Sequence, residues 1–154
     1  MARDARQPMG ALVTRGRQLP GDEGERVHLV IPPSSRFLRT VRLVAADAAE
    51  RAGCDVEEIE DFRIAVDELC HLLIAATDHF VHVTITSFDA NVVASGSTRP
   101  RAAKVPELDE VSAMIVAGTA DEFDVLSSPG ELRFEVAKHA RFAIRSGSTQ
   151  GGLR

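Results

Sequence analysis

The sequence predicts an α+β fold, a two-layer sandwich with helices on one face of a mixed, mostly antiparallel sheet. Three observations carry this. Asp55 to Ala76 repeats apolar residues at helical spacing, Phe80 to Phe88 alternates and runs straight into a tight turn, and a second strand–turn–strand pattern surrounds Ser128-Pro129-Gly130-Glu131.

Val27, Leu29 and Ile31 alternate with His28 and Val30, which predicts a short strand ending at Pro32-Pro33. Ser34-Ser35 then offers an N-cap for a helix that runs to about Ala52 and buries Leu38, Val41, Ala45 and Ala48, with Gly53 placed to stop it. The next helix follows at once. Asp55 with Glu58 forms a capping box, Glu57, Glu58, Glu60 and Asp61 crowd the positive end of the helix dipole, and Ile59, Phe62, Val66, Leu69, Cys70 and Leu73 make a wide apolar stripe. Two successive helices argue against the one-for-one alternation of a plain Rossmann fold.

In Phe80 to Phe88, Val81, Val83 and Ile85 face inward against His82, Thr84 and Thr86. Asp89-Ala90-Asn91 turns the chain into Val92 to Ser95, giving an antiparallel hairpin. Gly96 to Pro106, with Arg99, Arg101 and Lys104 and no periodicity, is expected to be a loop. Pro106 suits the start of a third helix, with Leu108, Val111 and Ile115 on one face and Gly118 as its stop. Phe123 and Val125, then Leu132, Phe134 and Val136, form the last two strands, joined through a type II turn with Pro129 and Gly130 in its central places.

At 154 residues with 44% hydrophobic content, the chain suits one core domain over 25–140, with a disordered tail over 1–24 and a flexible one over 141–154. No apolar run reaches the roughly 20 residues of a membrane span, and Met1 to Pro20 lacks the apolar centre of a secretory signal, so a cytoplasmic location and no membrane partner are expected. Residues 1–20 carry +3 and residues 138–154 carry +4 against −5 overall, which leaves −12 for 21–137. So acidic a middle argues against a nucleic-acid partner. Cys54 and Cys70 are too few for a disulfide scaffold, and neither they nor His28, His71, His79, His82 and His139 have the spacing of a metal centre. Cys70 sits on the apolar stripe, while Cys54 precedes the cap and is expected to be exposed.

The element order β, α, α, β, β, loop, α, β, β, with FRIAVDEL (62–69), FLRTVRLVAA (37–46), FVHVTITSFDANVV (80–93) and DEFDVLSSPGELRFEVAKH (121–139), resembles the histidine-kinase-like ATPase superfamily and its Bergerat fold. The resemblance covers roughly Val27 to His139 and is closest to the RsbW-type anti-sigma factors. It implies serine kinases that bind ATP and magnesium between helices and sheet, sequester a sigma factor, phosphorylate a STAS-domain anti-anti-sigma antagonist, and form homodimers.

Matched against the motifs of that family, Glu68 takes the place of the glutamate that polarises the attacking hydroxyl, and Leu72 that of the magnesium-ligating asparagine. Ala94 falls where an aspartate accepts from the adenine amino group; Gly96 keeps the first glycine and Thr98 replaces the second. The resemblance also places Arg39 at the first-helix arginine that grips the sigma factor, and Arg36, Arg39 and Arg42 form one drifting row there. Taken without the resemblance, the same arginines read as a solvated face paired with Asp47 or Glu50, and Glu68 as a helix-edge carboxylate satisfied by Arg63 or Arg42. Losing a buried hydrogen-bond partner costs ~1–3 kcal/mol, and a magnesium clamp carries more than that in phosphoryl transfer. The expectation is therefore a sigma-factor-binding regulator that keeps the fold with ATP binding weak or lost. The alternatives are an active serine kinase using Glu68 as base, and a scaffold with no sigma-factor partner.

Overall fold

The computed structural model describes residues 24–142, so most of the two expected tails lies outside the described residues. The elements are β1 (Glu25–Ile31), a 3₁₀ turn (Ser35–Phe37), α1 (Leu38–Arg51), α2 (Val56–Ala76), β2 (Val81–Phe88), β3 (Asn91–Thr98), α3 (Glu110–Thr119), β4 (Glu122–Ser128) and β5 (Glu131–His139). The five strands make one sheet in the order β1-β2-β3-β5-β4, and all four pairings are antiparallel. Leu38, Val41, Ala45 and Ala48 of α1 and Phe62, Val66, Leu69 and Leu73 of α2 are sealed against Val83, Ile85, Val92, Ala94, Phe134 and Val136 of the sheet. This is the predicted two-layer α+β arrangement, except that the sheet, expected to be mixed, is antiparallel throughout the described residues.

The corner between α1 and α2 is built from local rules. Gly53 takes φ +88°, its N–H reaches Glu50 O at 2.9 Å, and the N–H of Cys54 reaches Ala49 O at 3.0 Å, a complete Schellman stop. Asp55 then accepts from Glu58 N at 2.8 Å while Glu58 Oε2 accepts from Asp55 N at 2.9 Å, the expected capping box. The start of α1 differs from expectation. Ser34 makes no side-chain cap bond, and the Ser35–Phe37 turn intervenes before the α-helix begins at Leu38.

Two other boundaries shift. Gly96, Ser97 and Thr98, expected in a loop, extend β3, because pairing with β5 from Asn91↔His139 to Thr98↔Leu132 supplies hydrogen bonds that no local periodicity announces. The third helix starts later than Pro106, capped by Asp109 accepting from Ser112 N at 2.8 Å, and Gly118 lies inside it rather than after it. Val111 is 67% exposed, and Val116 is the residue α3 buries. The hairpin turn uses Asp89 (φ +42°) and Ala90 (φ +63°), so Asn91 already belongs to β3. An alanine in that conformation costs about 1–2 kcal/mol, which the ladder on either side of the turn offsets.

Gly96 faces the helices, and a Cβ there would lie 2.3 and 2.7 Å from ring atoms of Phe134 and 2.9 Å from Leu73 Cδ1. The large Phe134 opposite it in register fills the space the glycine leaves. Past β3, Arg101 fastens the chain to the end of α2: its backbone N–H reaches Ala76 O at 2.8 Å, its guanidinium donates to Ala75 O and Thr77 O at 3.2 and 3.0 Å, and it pairs with both oxygens of Asp78 at 2.9 and 3.0 Å. The last turn of α2 carries no basic residue of its own, so this loop cation satisfies carbonyls the helix leaves open.

Gly96→Ala is expected to lower stability by about 1–3 kcal/mol, the usual cost of overpacking a filled core, measured as a shift of the urea midpoint at constant slope. The Arg101 guanidinium holds the Asp78 carboxyl below its ordinary value of 3.8, so the pair's contribution is present above that pH and is lost as pH falls through the lowered value. Asp78→Asn should accordingly show a smaller loss of stability than the parent on acidification below about pH 3.8, read from denaturation curves at stepped pH.

Candidate functional site

α1 and α2 lie side by side on the sheet, and their outward faces enclose a groove of about 490 Å³ lined by Arg39, Arg42 and Leu43 from α1 and by Glu60, Arg63, Ile64, Asp67 and Glu68 from α2. Residues 60, 63, 64, 67 and 68 recur at three- and four-residue steps, so they form one helix face opposite the apolar stripe. Arg42 donates to Asp67 at 3.0 Å, and Arg63 donates to Glu60 at 2.6 Å. His71 approaches the same Asp67, its Nδ1 3.0 Å from the backbone O and 3.4 Å from Oδ2.

The two alternative pairings are corrected by these distances. Arg42 and Arg63 are engaged by Asp67 and Glu60, not by Glu68, and Asp47 is taken by Arg51 at 3.0 Å. Arg39 and Glu68 make no ion pair among the described residues, and Leu43 beside them is 63% exposed. Three of the expected site residues, Arg39, Arg42 and Glu68, thus meet in one groove. Arg36 does not join them, since it belongs to the 3₁₀ turn and lies over the Phe37 ring, 5.7 Å from its centroid.

Leu72, Ala94 and Gly96 do not line this groove. Leu72 is buried, Ala94 is fully covered between Ile85 and Val136, and the space above Gly96 is occupied by Phe134 and Leu73. Leu72 has no oxygen to offer a hard cation, and a filled space over Gly96 leaves no approach for a base to its backbone. These three positions do not fit an ATP–magnesium site. Leu43, Glu60, Arg63, Ile64 and Asp67 were missed as groove residues; for the four on α2 the periodic polar face of that helix was the available signal.

No family model matches this chain. The chain is 39% identical over 46 residues to the serine-protein kinase RsbW of Halalkalibacterium halodurans and 35% identical over 46 residues to that of Bacillus cereus. Each match covers 30% of this chain and 28% or 29% of the relative, so less than a third of those proteins is represented. The crystal structure of the RsbU and RsbW domains of a Mycobacterium tuberculosis protein superposes with a TM-score of 0.56 at 20% identity, over 77% of this chain and 34% of that one. The likeness is to the RsbW type. The sequence matches carry the resemblance, and the solved chain shares the α+β fold over the part that superposes.

The cysteines take no part in the groove. Cys54, expected to be exposed, is 8% exposed, because the Schellman stop folds it under the corner. Burial first, then Glu58 and Asp55, pushes its thiol up to about 11, and burial likewise raises Cys70. A disulfide reagent at pH 8 is therefore expected to label neither thiol in the native protein and both in denaturant; rapid native labelling of one thiol per chain would contradict the burial of Cys54.

Proposed function

We propose that this protein is an RsbW-type regulator that binds a sigma factor through the α1–α2 groove and is released by a STAS-domain antagonist, by docking rather than by phosphoryl transfer. The observation that carries this reading is the pairing pattern of the groove. Two of its arginines are neutralised internally, whereas Arg39 and Glu68 have no ion-pair partner among the described residues and share the groove with the exposed apolar Leu43. An exposed apolar side chain sharing one groove with such a guanidinium and carboxylate suits a helix that brings one apolar anchor, one acid and one donor. Solvated charges add specificity to such contacts more than affinity.

Weak or absent nucleotide binding is the second part of the proposal, supported by Leu72 and by the filled space over Gly96. The serine-kinase reading keeps one supporting observation, the free carboxylate of Glu68, which could accept a hydroxyl proton if phosphate were presented to it. Cytoplasmic location and pairing with a second copy follow from the resemblance; no helix among the described residues is long and apolar enough to cross a membrane.

Capture of purified sigma factors at micromolar concentration tests the first part. Arg39→Glu is expected to weaken capture at least tenfold, about 1.4 kcal/mol, with unchanged thermal stability. No capture by the parent, or equal capture by the variant, would remove the sigma-factor reading. Calorimetry with magnesium and ATP, followed by radiolabel transfer to a STAS-domain protein, tests the second part: no heat and no label are expected, and transfer abolished by Glu68→Gln would establish the kinase instead.

A further inference from the structure

The sheet face turned away from the helices carries a histidine pair that the sequence spacing concealed. His28 on β1 and His82 on β2 are 54 positions apart, yet the register sets His28 opposite Thr84 and His82 opposite Val30, so the two imidazoles are diagonal neighbours on one face. His82 Nδ1 lies 3.4 Å from His28 Nε2. The rings are stacked in an inclined arrangement, with centroids 5.5 Å apart and 30° between planes, and the two nitrogens are at the point of approach. His28 Nδ1 lies 2.8 Å from Thr84 Oγ1. When that nitrogen carries the proton and donates to the hydroxyl, the lone pair is left on Nε2, the atom that faces His82.

We propose that His28 and His82 form a two-histidine site for a borderline divalent transition metal, of which zinc is the representative. Two nitrogens at about 2.0–2.1 Å from a tetrahedral zinc ion sit about 3.3–3.4 Å apart, the separation found here. Both rings are exposed, so rotation about their terminal torsions, which are broad, can turn the two lone pairs onto one ion. Thr84 supplies the outer hydrogen bond that fixes the tautomer and orientation of a ligating imidazole. No group of three or more His, Cys, Asp or Glu among the described residues is placed to hold a metal, so the protein supplies two ligands. The remaining positions stay open to water or a small ligand, and a hollow of about 430 Å³ beside His82, shared with His79, Phe80, Ser97, Arg99 and Glu131, gives them room. Imidazole donors select zinc, copper, nickel or cobalt over calcium and magnesium, which demand oxygen.

Because β1 is an edge strand whose ladder partner among the described residues is β2 alone, an ion spanning His28 and His82 would also fasten that edge. The consequence is a zinc-dependent rise in Tm.

The test uses the full chain without a polyhistidine tag. Titration with zinc chloride at pH 7.5, read by calorimetry and by the visible absorption of cobalt, is expected to give one ion per chain. His28→Ala and His82→Ala should each weaken binding at least tenfold, Thr84→Val severalfold, and His71→Gln less than twofold; calcium should produce no heat. The parent should melt at a higher temperature with zinc, and the His28→Ala/His82→Ala double variant should not. Absence of saturable binding up to 1 mM zinc, or a double variant that binds within twofold of the parent, would overturn the assignment. Both substituted side chains are exposed, and far-ultraviolet circular dichroism of each variant establishes that the fold compared is the same.

Discussion

The left-handed turn at Gly53 is the constraint on which the helical layer depends. α1 must end and α2 begin across four residues, 52–55, and the Schellman bonds to Glu50 and Ala49 together with the Asp55–Glu58 box satisfy open backbone groups of both helices inside that corner. A side chain at position 53 would add the steric cost of positive φ, on the order of 1 kcal/mol, to a junction with no slack. Glu58 extends the constraint beyond the helices. Its second oxygen accepts from Arg141 N at 3.0 Å, so the residue that caps α2 also holds the chain leaving β5. Because the corner fixes how α1 lies against α2, it fixes which side chains face one another across the groove.

A second tie runs through the core. Lys138, 3% exposed on β5, donates to Asp61 at 3.1 Å and to Thr119 O at 2.9 Å, joining the sheet to α2 and to the end of α3. A buried ammonium with one close carboxylate gains little net stability over an apolar side chain of similar size, since its desolvation offsets most of the attraction. What it imposes is position. Asp61 stands in the first turns of α2 and Thr119 closes α3, and one cation can meet both only when the two helices sit at a single height above β5. Arg101 does the same at the far end of α2, so that helix is held at both termini by cations from other elements.

Much of the fold was legible because its signals are local. The Asp55–Glu58 box, the alternation of Val81, Val83 and Ile85, and the Pro129-Gly130 turn each name their own structure, and each stands as read. The residues misread are those decided by distant partners. Ser97 and Thr98 look like loop until β5 pairs with them, Val111 looks buried until α3 is seen to turn Val116 inward, and Cys54 looks exposed until the corner closes over it. In the candidate site, Arg39, Arg42 and Glu68 were visible as residue types, but their pairings were not: Arg42 could equally have reached Glu68 or Asp67, and only the lateral packing of α1 on α2 chooses. The His28–His82 contact was beyond reach for the same reason, since strand register is set by the whole sheet.

The proposed change from nucleotide chemistry to docking rests on more than one missing ligand. An oxygen at position 72 is absent, but a single substitution there would face a wall that is closed for a different reason. Phe134 and Leu73 fill the volume over Gly96, and they are also core residues holding the centre of the sheet to α2. Emptying that volume means truncating a buried aromatic, at roughly 3–5 kcal/mol, a large part of the stability of a domain this size. The groove between α1 and α2 carries no such coupling. Arg39 and Leu43 are exposed and belong to no buried cluster, and a surface of that kind is free to follow its partner while the core that supports it stays fixed.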